Sequence, residues 1–183
     1  MLQVLTGEAK GRKLKVPKGR TVRPTTSRIK KTIFDTLGDI SGFKVLDIFA
    51  GSGGLGIEAL SQGAARITFI EKNPLVCRVL RENLHLCGFL DRANLICAHY
   101  EGAIKRLKKS GKKFDLVFID PPYILYRRKQ VGDFISQLSE LLEEDGTIVI
   151  EHNYRIENSI KGFKRITKPF GGTHLSLFRR GDE

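Results

Sequence analysis

The chain has 183 residues, 40% of them hydrophobic, enough to bury a core in one domain without help from disulfides or metal. It shows no repeat, no apolar run of membrane-spanning length and no signal-peptide core, so a membrane span and export are disfavoured and a cytoplasmic address is expected. The net charge of +12 is concentrated: residues 1–31 carry ten Lys and Arg against Glu8 alone, which points to a polyanion such as a nucleic-acid backbone.

In chain order, short alternating runs at 3–6 and 13–16 around Gly7 and Gly11 predict a basic β-hairpin within an N-terminal arm, residues 1–22. The remaining chain, 23–183, reads as the main domain. Thr26 or Ser27 can cap a helix whose apolar stripe is Ile29, Ile33, Phe34 and Leu37. From residue 44 the pattern becomes regular. Strands are predicted at 44–48, 66–70 and 94–98, and helices at 55–62, 74–87 and 101–110, with Pro74 suited to a first helical turn. The apolar run 114–119 reads as an inner strand, apolar on both faces. A helix near 134–142, a strand at 146–151 and a closing pair at 164–167 and 174–179 follow. Strands alternating with helices predict a doubly wound, mostly parallel, seven-stranded α/β sheet, with the closing hairpin adding an antiparallel edge.

Two further basic clusters stand at 105–113 and at Arg127, Arg128 and Lys129; the first is read as a solvated face. Cys77, Cys87 and Cys97 lack metal or redox spacing and are read as reduced, packed thiols. The four histidines show no ligand spacing with them, so no metal is expected.

Asp120-Pro121-Pro122-Tyr123 ends the inner strand at the edge where ligands bind in open α/β sheets. The two prolines stiffen the turn and supply no N–H of their own. A stiff turn bearing a carboxylate, carbonyls and a flat ring suits a planar base with an exocyclic amine. By itself it suits a proline-terminated strand with a surface tyrosine equally well.

Gly51, Gly53 and Gly56 match G-x-G-x-x-G at the first regular strand-to-helix turn, with Glu71 near the end of the next strand, spacing shared by many nucleotide binders. Charge separates those ligands. Asp47, just before the glycines, and Asp120 would flank one crevice at the switch point and repel a pyrophosphate. S-adenosylmethionine has no phosphate but carries a sulfonium, an ammonium and a ribose for Glu71. It accounts for Asp47, Glu71 and Asp120 together, whereas a nicotinamide dinucleotide accounts only for Glu71.

The run from Asp47 through Phe49, Gly51, Ser52 and Gly53 to Leu60, taken with 120–123, resembles class I S-adenosylmethionine-dependent methyltransferases. The segments 11–14 and Arg23-Pro24-Thr25-Thr26-Ser27-Arg28 narrow the resemblance to the bacterial small-subunit (16S) ribosomal RNA guanine-N2 methyltransferases, over nearly the whole chain. That resemblance implies methyl transfer from S-adenosylmethionine, leaving S-adenosylhomocysteine, to a guanine N2 in ribosomal RNA or a small-subunit particle; the oligomeric state is left open, with a monomer favoured. It assigns Asp120, Pro121, Pro122 and Tyr123 to the acceptor base. It assigns Asp47, Phe49, Gly51, Ser52, Gly53, Glu71, Lys72, Asn73, His99, Tyr100 and Asp120 to the cofactor, and puts Arg23 and Thr25 near both. Phosphates fall to Lys10, Arg12, Lys13, Lys15, Arg20, Arg23 and Arg28. One departure is Ala98-His99-Tyr100, where the family usually has Asp or Asn near the adenine; His99 fits an adenine contact and a surface histidine equally. Adenine N6, cytosine N4 and glutamine amide are alternative acceptors. A nicotinamide oxidoreductase and a non-catalytic RNA-binding module are the other classes, the latter opposed by the intact glycines and acids.

Overall fold

The computed structural model of the chain describes residues 2–17, 27–122, 130–154, 156, 159–170 and 172–181. Arg20, Arg23, Thr25, Tyr123 and the 127–129 cluster lie outside them. Helices are α1 (Ser27–Leu37), α2 (Gly54–Ser61), α3 (Pro74–Cys87), α4 (Tyr100–Lys109) and α5 (Val131–Leu138); strands are β1 (Lys44–Ile48), β2 (Arg66–Glu71), β3 (Ala93–Cys97), β4 (Phe114–Ile119), β5 (Leu142–His152), β6 (Phe163–Phe170) and β7 (Thr173–Arg180). They form one sheet of order β3-β2-β1-β4-β5-β7-β6. β1 to β5 run parallel, and β7 pairs antiparallel with both β5 and β6. The sheet is therefore the expected doubly wound one. The closing hairpin does form its end, with β7 inserted beside β5 and β6 left as the edge.

Period-two alternation sorts β1 between two cores. Val45 packs with Ile57, Leu60, Phe69 and Phe118 under α1 to α3, while Leu46 and Ile48 pack with Ile104, Leu107, Phe134 and Ile135 under α4 and α5. Helix ends follow local chemistry. Asn73 caps α3, its Oδ1 accepting from the N–H groups of Leu75 (2.9 Å) and Val76 (3.3 Å), and Gly88 closes it at φ 75°. Two expectations shift. The helix expected to reach 142 stops at Leu138, followed by a 3-10 turn at Ser139–Leu141, because β5 begins at Leu142 opposite Phe114 and runs eleven residues. The N-terminal hairpin reduces to one bridge, Gln3 to Lys13, with its backbone bonds around it.

That N-terminal segment is anchored rather than merely attached. Leu2, Val4, Ala9 and Leu14 enter the α1–α3 core. Glu58 of α2, fully buried, accepts the N–H groups of Leu5 (2.9 Å) and Thr6 (2.9 Å) and the Lys30 ammonium at 2.8 Å, while Lys30 also donates to the Gln3 carbonyl at 2.7 Å. Lys30, counted above among the cations facing a polyanion, is thus internal. It sits at i, i+3, i+4 and i+7 with Ile33, Phe34 and Leu37, a core position of the helix. Removing one partner of such a pair leaves a buried charge uncompensated, so Glu58→Ala is expected to cost about 3–5 kcal/mol and roughly 10 °C in Tm. Lys30→Met combined with Glu58→Gln, which keeps acceptors for Leu5 and Thr6, should recover most of that loss. Thermal melts of the two variants decide the point.

The cysteine expectation is corrected for two of three. The structure joins Cys77 of α3 and Cys97 of β3 as a disulfide with Cα atoms 6.2 Å apart, leaving Cys87 free and half-buried. A β-α-β unit returns the end of its second strand beside the start of its helix, a proximity that the twenty-residue separation hides.

Candidate active site

The strand order reverses between β1 and β4, so the carboxyl ends of β2, β1 and β4 stand side by side. Asp47 lies opposite Phe69 of β2 and Phe118 of β4, and Ile48 lies opposite Ile119, one residue before Asp120. Glu71 closes β2. The three acids therefore stand at the carboxyl ends of three adjacent strands, near enough for Asp120 and Glu71 to repel charge on Asp47.

Phe49 turns the chain out of β1 with φ 65°, a strained left-handed conformation for an aromatic residue. Its ring rests 4.8 Å from Tyr100 and 6.4 Å from Phe134, contacts that hold the turn in place. The glycines then divide the work. Gly51 has φ 54° and open space where a Cβ would stand. Gly53, at φ 88°, opens α2, and a Cβ there would meet Leu80 at 2.3 Å. A Cβ on Gly56 would lie 2.2 Å from the Phe69 ring, so Gly56 lets α2 lie close against β2.

Glu71 fastens the loop to β2, its carboxylate accepting the N–H groups of Gly51 at 3.1 Å and Asn73 at 2.8 Å. Asp47 accepts the Gly56 N–H at 3.0 Å and is 2% exposed. Burial pushes its carboxyl up to about 8; the Gly56 N–H pulls the other way, and Asp120 and Glu71 add repulsion. This donor set fits a cationic, phosphate-free ligand beside an open glycine turn.

The remaining cofactor candidates separate. Ser52 is buried, its carbonyl accepting from Asn83 Nδ2 at 2.9 Å. Lys72 is exposed, Asn73 is occupied as the α3 cap, and Tyr100 is buried among Phe49 and Phe134. His99, at the N-cap of α4, is exposed, 3.9 Å from a Glu101 carboxylate oxygen. Pro121 is buried and Pro122 exposed. Of the phosphate candidates, Lys10, Arg12, Lys13 and Arg28 are exposed, while Lys15 is engaged by Glu82 at 2.8 Å. In the 105–113 cluster, Lys108 pairs with Glu140 at 2.7 Å and Lys113 donates to the Glu140 carbonyl at 2.6 Å.

Asn83 escaped the sequence reading. It is fully buried, exchanging two hydrogen bonds with the Lys15 backbone (2.8 and 2.9 Å) while holding Ser52, and so links the N-terminal segment to the glycine loop. Its signal was a polar residue on the stripe of Val76, Leu80, Leu84 and Cys87. Among the described residues no helix is long and apolar enough to cross a membrane, and no group of three or more His, Cys, Asp or Glu could hold a metal.

A sheet reversing between β1 and β4, parallel except for β7 inserted antiparallel between β5 and β6, is a class I methyltransferase fold. Residues 2–179 match the family model described as Conserved hypothetical protein 95. The chain is 35% identical over 161 residues to the ribosomal RNA small subunit methyltransferase D of Escherichia coli strain K12, covering 87% of this chain and 76% of that protein. The solved structure of yhhF from Escherichia coli superposes at TM-score 0.84 with 32% identity, covering 99% of this chain and 98% of that one. An RNA methyltransferase from Salinibacter ruber, solved with S-adenosyl-L-homocysteine, shares the fold at TM-score 0.65 and 17% identity, over 87% and 95% of the two chains. The chain belongs to the Conserved hypothetical protein 95 family and is a relative of ribosomal RNA small subunit methyltransferase D.

Proposed function

We propose that the protein moves a methyl group from S-adenosylmethionine to the exocyclic N2 of a guanine in small-subunit ribosomal RNA, in the cytoplasm. The observation that carries this reading is the convergence of Asp47, Glu71 and Asp120 on the carboxyl ends of three adjacent strands. When bound, the cofactor supplies an electrophilic methyl on a sulfonium. Asp47 meets its positive charge, and Glu71, at the end of β2, faces its ribose. Gly51 lets the backbone come close.

Asp120 and the Pro121 carbonyl accept the two N–H bonds of the guanine amine, whose lone pair is otherwise spread into the ring. Held so, the amine turns its lone pair along the line of the departing sulfur. The bound cofactor would supply the methyl, its S–C bond breaking as the N–C bond formed, and Asp120 or water would take the proton the amine loses. Catalysis is chiefly positioning and electrostatics. Tyr123, by its sequence position, is assigned to stack on the base. Lys10, Arg12, Lys13 and Arg28 hold phosphates and place the RNA without specifying the base.

The test is transfer of labelled methyl to undermethylated small-subunit RNA and particles, followed by nucleoside analysis. Label is expected in N2-methylguanosine. Label in N6-methyladenosine, in cytosine or in protein would overturn the guanine assignment.

A further inference from the structure

β3 ends at Cys97, whose register partner is Glu71, and Cys77 lies in the first turn of α3, just beyond the Asn73 cap. Cys77 Sγ stands 3.3 Å from the Glu71 carbonyl, which also accepts the Ala98 N–H at 3.0 Å. The two sulfurs therefore join the backbone that carries Glu71 to the segment leading into His99. Cys77 is buried, whereas Cys97 is exposed. A groove of about 780 Å3 opens over both, lined by Lys15, Arg78, Arg81 and His85. Its one acid, Glu82, bridges Lys15 at 2.8 Å and Arg78 at 3.7 Å.

We propose that Cys77 and Cys97 form a thiol–disulfide exchange site, served in this groove by an anionic low-molecular-weight disulfide, which clips one wall of the cofactor cleft. The proposal rests on the cofactor assignments above. In a glutathione-buffered cytoplasm a disulfide is transient or redox-sensing rather than a permanent staple. Cations around a thiol favour its thiolate, and the same cations attract an anionic partner. The exposed Cys97 thiolate attacks one sulfur of glutathione disulfide, giving a mixed disulfide and releasing one glutathione thiolate. The Cys77 thiolate then attacks the Cys97 sulfur and releases the second. The protein dithiol loses two electrons, glutathione disulfide gains them, and the two thiol protons end on the two glutathiones. The described structure, bonded and with its Glu71–Gly51 contact intact, represents the cofactor-ready state.

The test equilibrates the full chain in glutathione buffers of set ratio, quenches by alkylation, maps peptides, and titrates both forms with S-adenosylhomocysteine by calorimetry. A Cys77–Cys97 linked peptide with Cys87 alkylated is expected. The oxidised form should bind about two- to tenfold more tightly, because the cleft wall is preorganised. Cys97→Ser should abolish the difference and Cys87→Ser preserve it. A persistent glutathione adduct without the Cys77–Cys97 link, or equal or weaker binding by the oxidised form, overturns the proposal. Failure of both forms to bind would sink the cofactor assignments and the clip's role in the cleft, while the peptide map still decides the exchange site.

Discussion

Asp120→Ala is expected to lower methyl transfer by about 10²–10³-fold while S-adenosylhomocysteine affinity changes less than tenfold. The asymmetry follows from place. Asp120 follows Ile119 at the end of β4, across the switch point from Asp47. Its proposed partner is the acceptor amine, which gains most from orientation as the lone pair localises. Asp120→Asn keeps a single acceptor oxygen without charge and should fall between wild type and Ala. Single-turnover transfer with labelled donor, paired with calorimetry, separates the chemical step from binding. Activity within tenfold of wild type in the Ala variant would refute the positioning role.

The second large effect concerns Asp47, where function and stability are expected to oppose each other. Its carboxyl is pushed from 3.8 up to about 8, chiefly by burial. A folded-state value above the unfolded one means that the folded chain holds the proton more tightly. The stability tied to that proton is complete below about pH 4 and is lost progressively as pH rises toward 8. Asp47→Asn removes the titration and should stabilise the ligand-free protein at neutral pH by on the order of a few kcal/mol, seen as a higher Tm. The same change should weaken binding of S-adenosylhomocysteine, whose ammonium would ionise Asp47. Below pH 8 the wild-type affinity should rise nearly tenfold per unit, between pH 6 and 7 for example, with close to one proton released per ligand at pH 7. The Asn variant should show a flat profile. Calorimetry in buffers of different ionisation enthalpy reads the proton directly. An Asn variant that binds like wild type, with the same pH slope, would remove Asp47 from the cofactor's charge partners.

Much of this was legible in the residues because it is short-range chemistry. The 74–87 helix appears with the expected bounds, since Pro74 is a start signal that acts within one turn; the Asn73 cap and the Gly88 stop emerged with the structure. The inner strands are readable as unbroken apolar runs because both faces are covered, and Asp47, Glu71 and Asp120 are readable as strand-end acids from the same pattern. A parallel α/β sheet fixes which strand ends meet, so the adjacency of the three acids follows from topology alone.

What stayed hidden depends on residues far apart in the chain. Lys30 shares the apolar stripe of α1, but only α1 lying against α2 gives it Glu58 as a partner and takes its charge off the surface. Asn83 stands out in the sequence only as a polar residue on the α3 stripe; its partners, the glycine loop and the Lys15 backbone, arrive with the fold. Cys77 and Cys97 share no motif, and the fold alone returns β3 beside the start of α3. The insertion of β7 between β5 and β6 is likewise a pairing choice that strand sequences leave open. The sequence by itself determined the elements, the glycine turn and the acids, because turn chemistry and periodicity are properties of neighbours along the chain. The tertiary structure decided which charges are buried, which thiols meet and that burial raises the Asp47 carboxyl, because desolvation and pairing depend on what packs across the sheet.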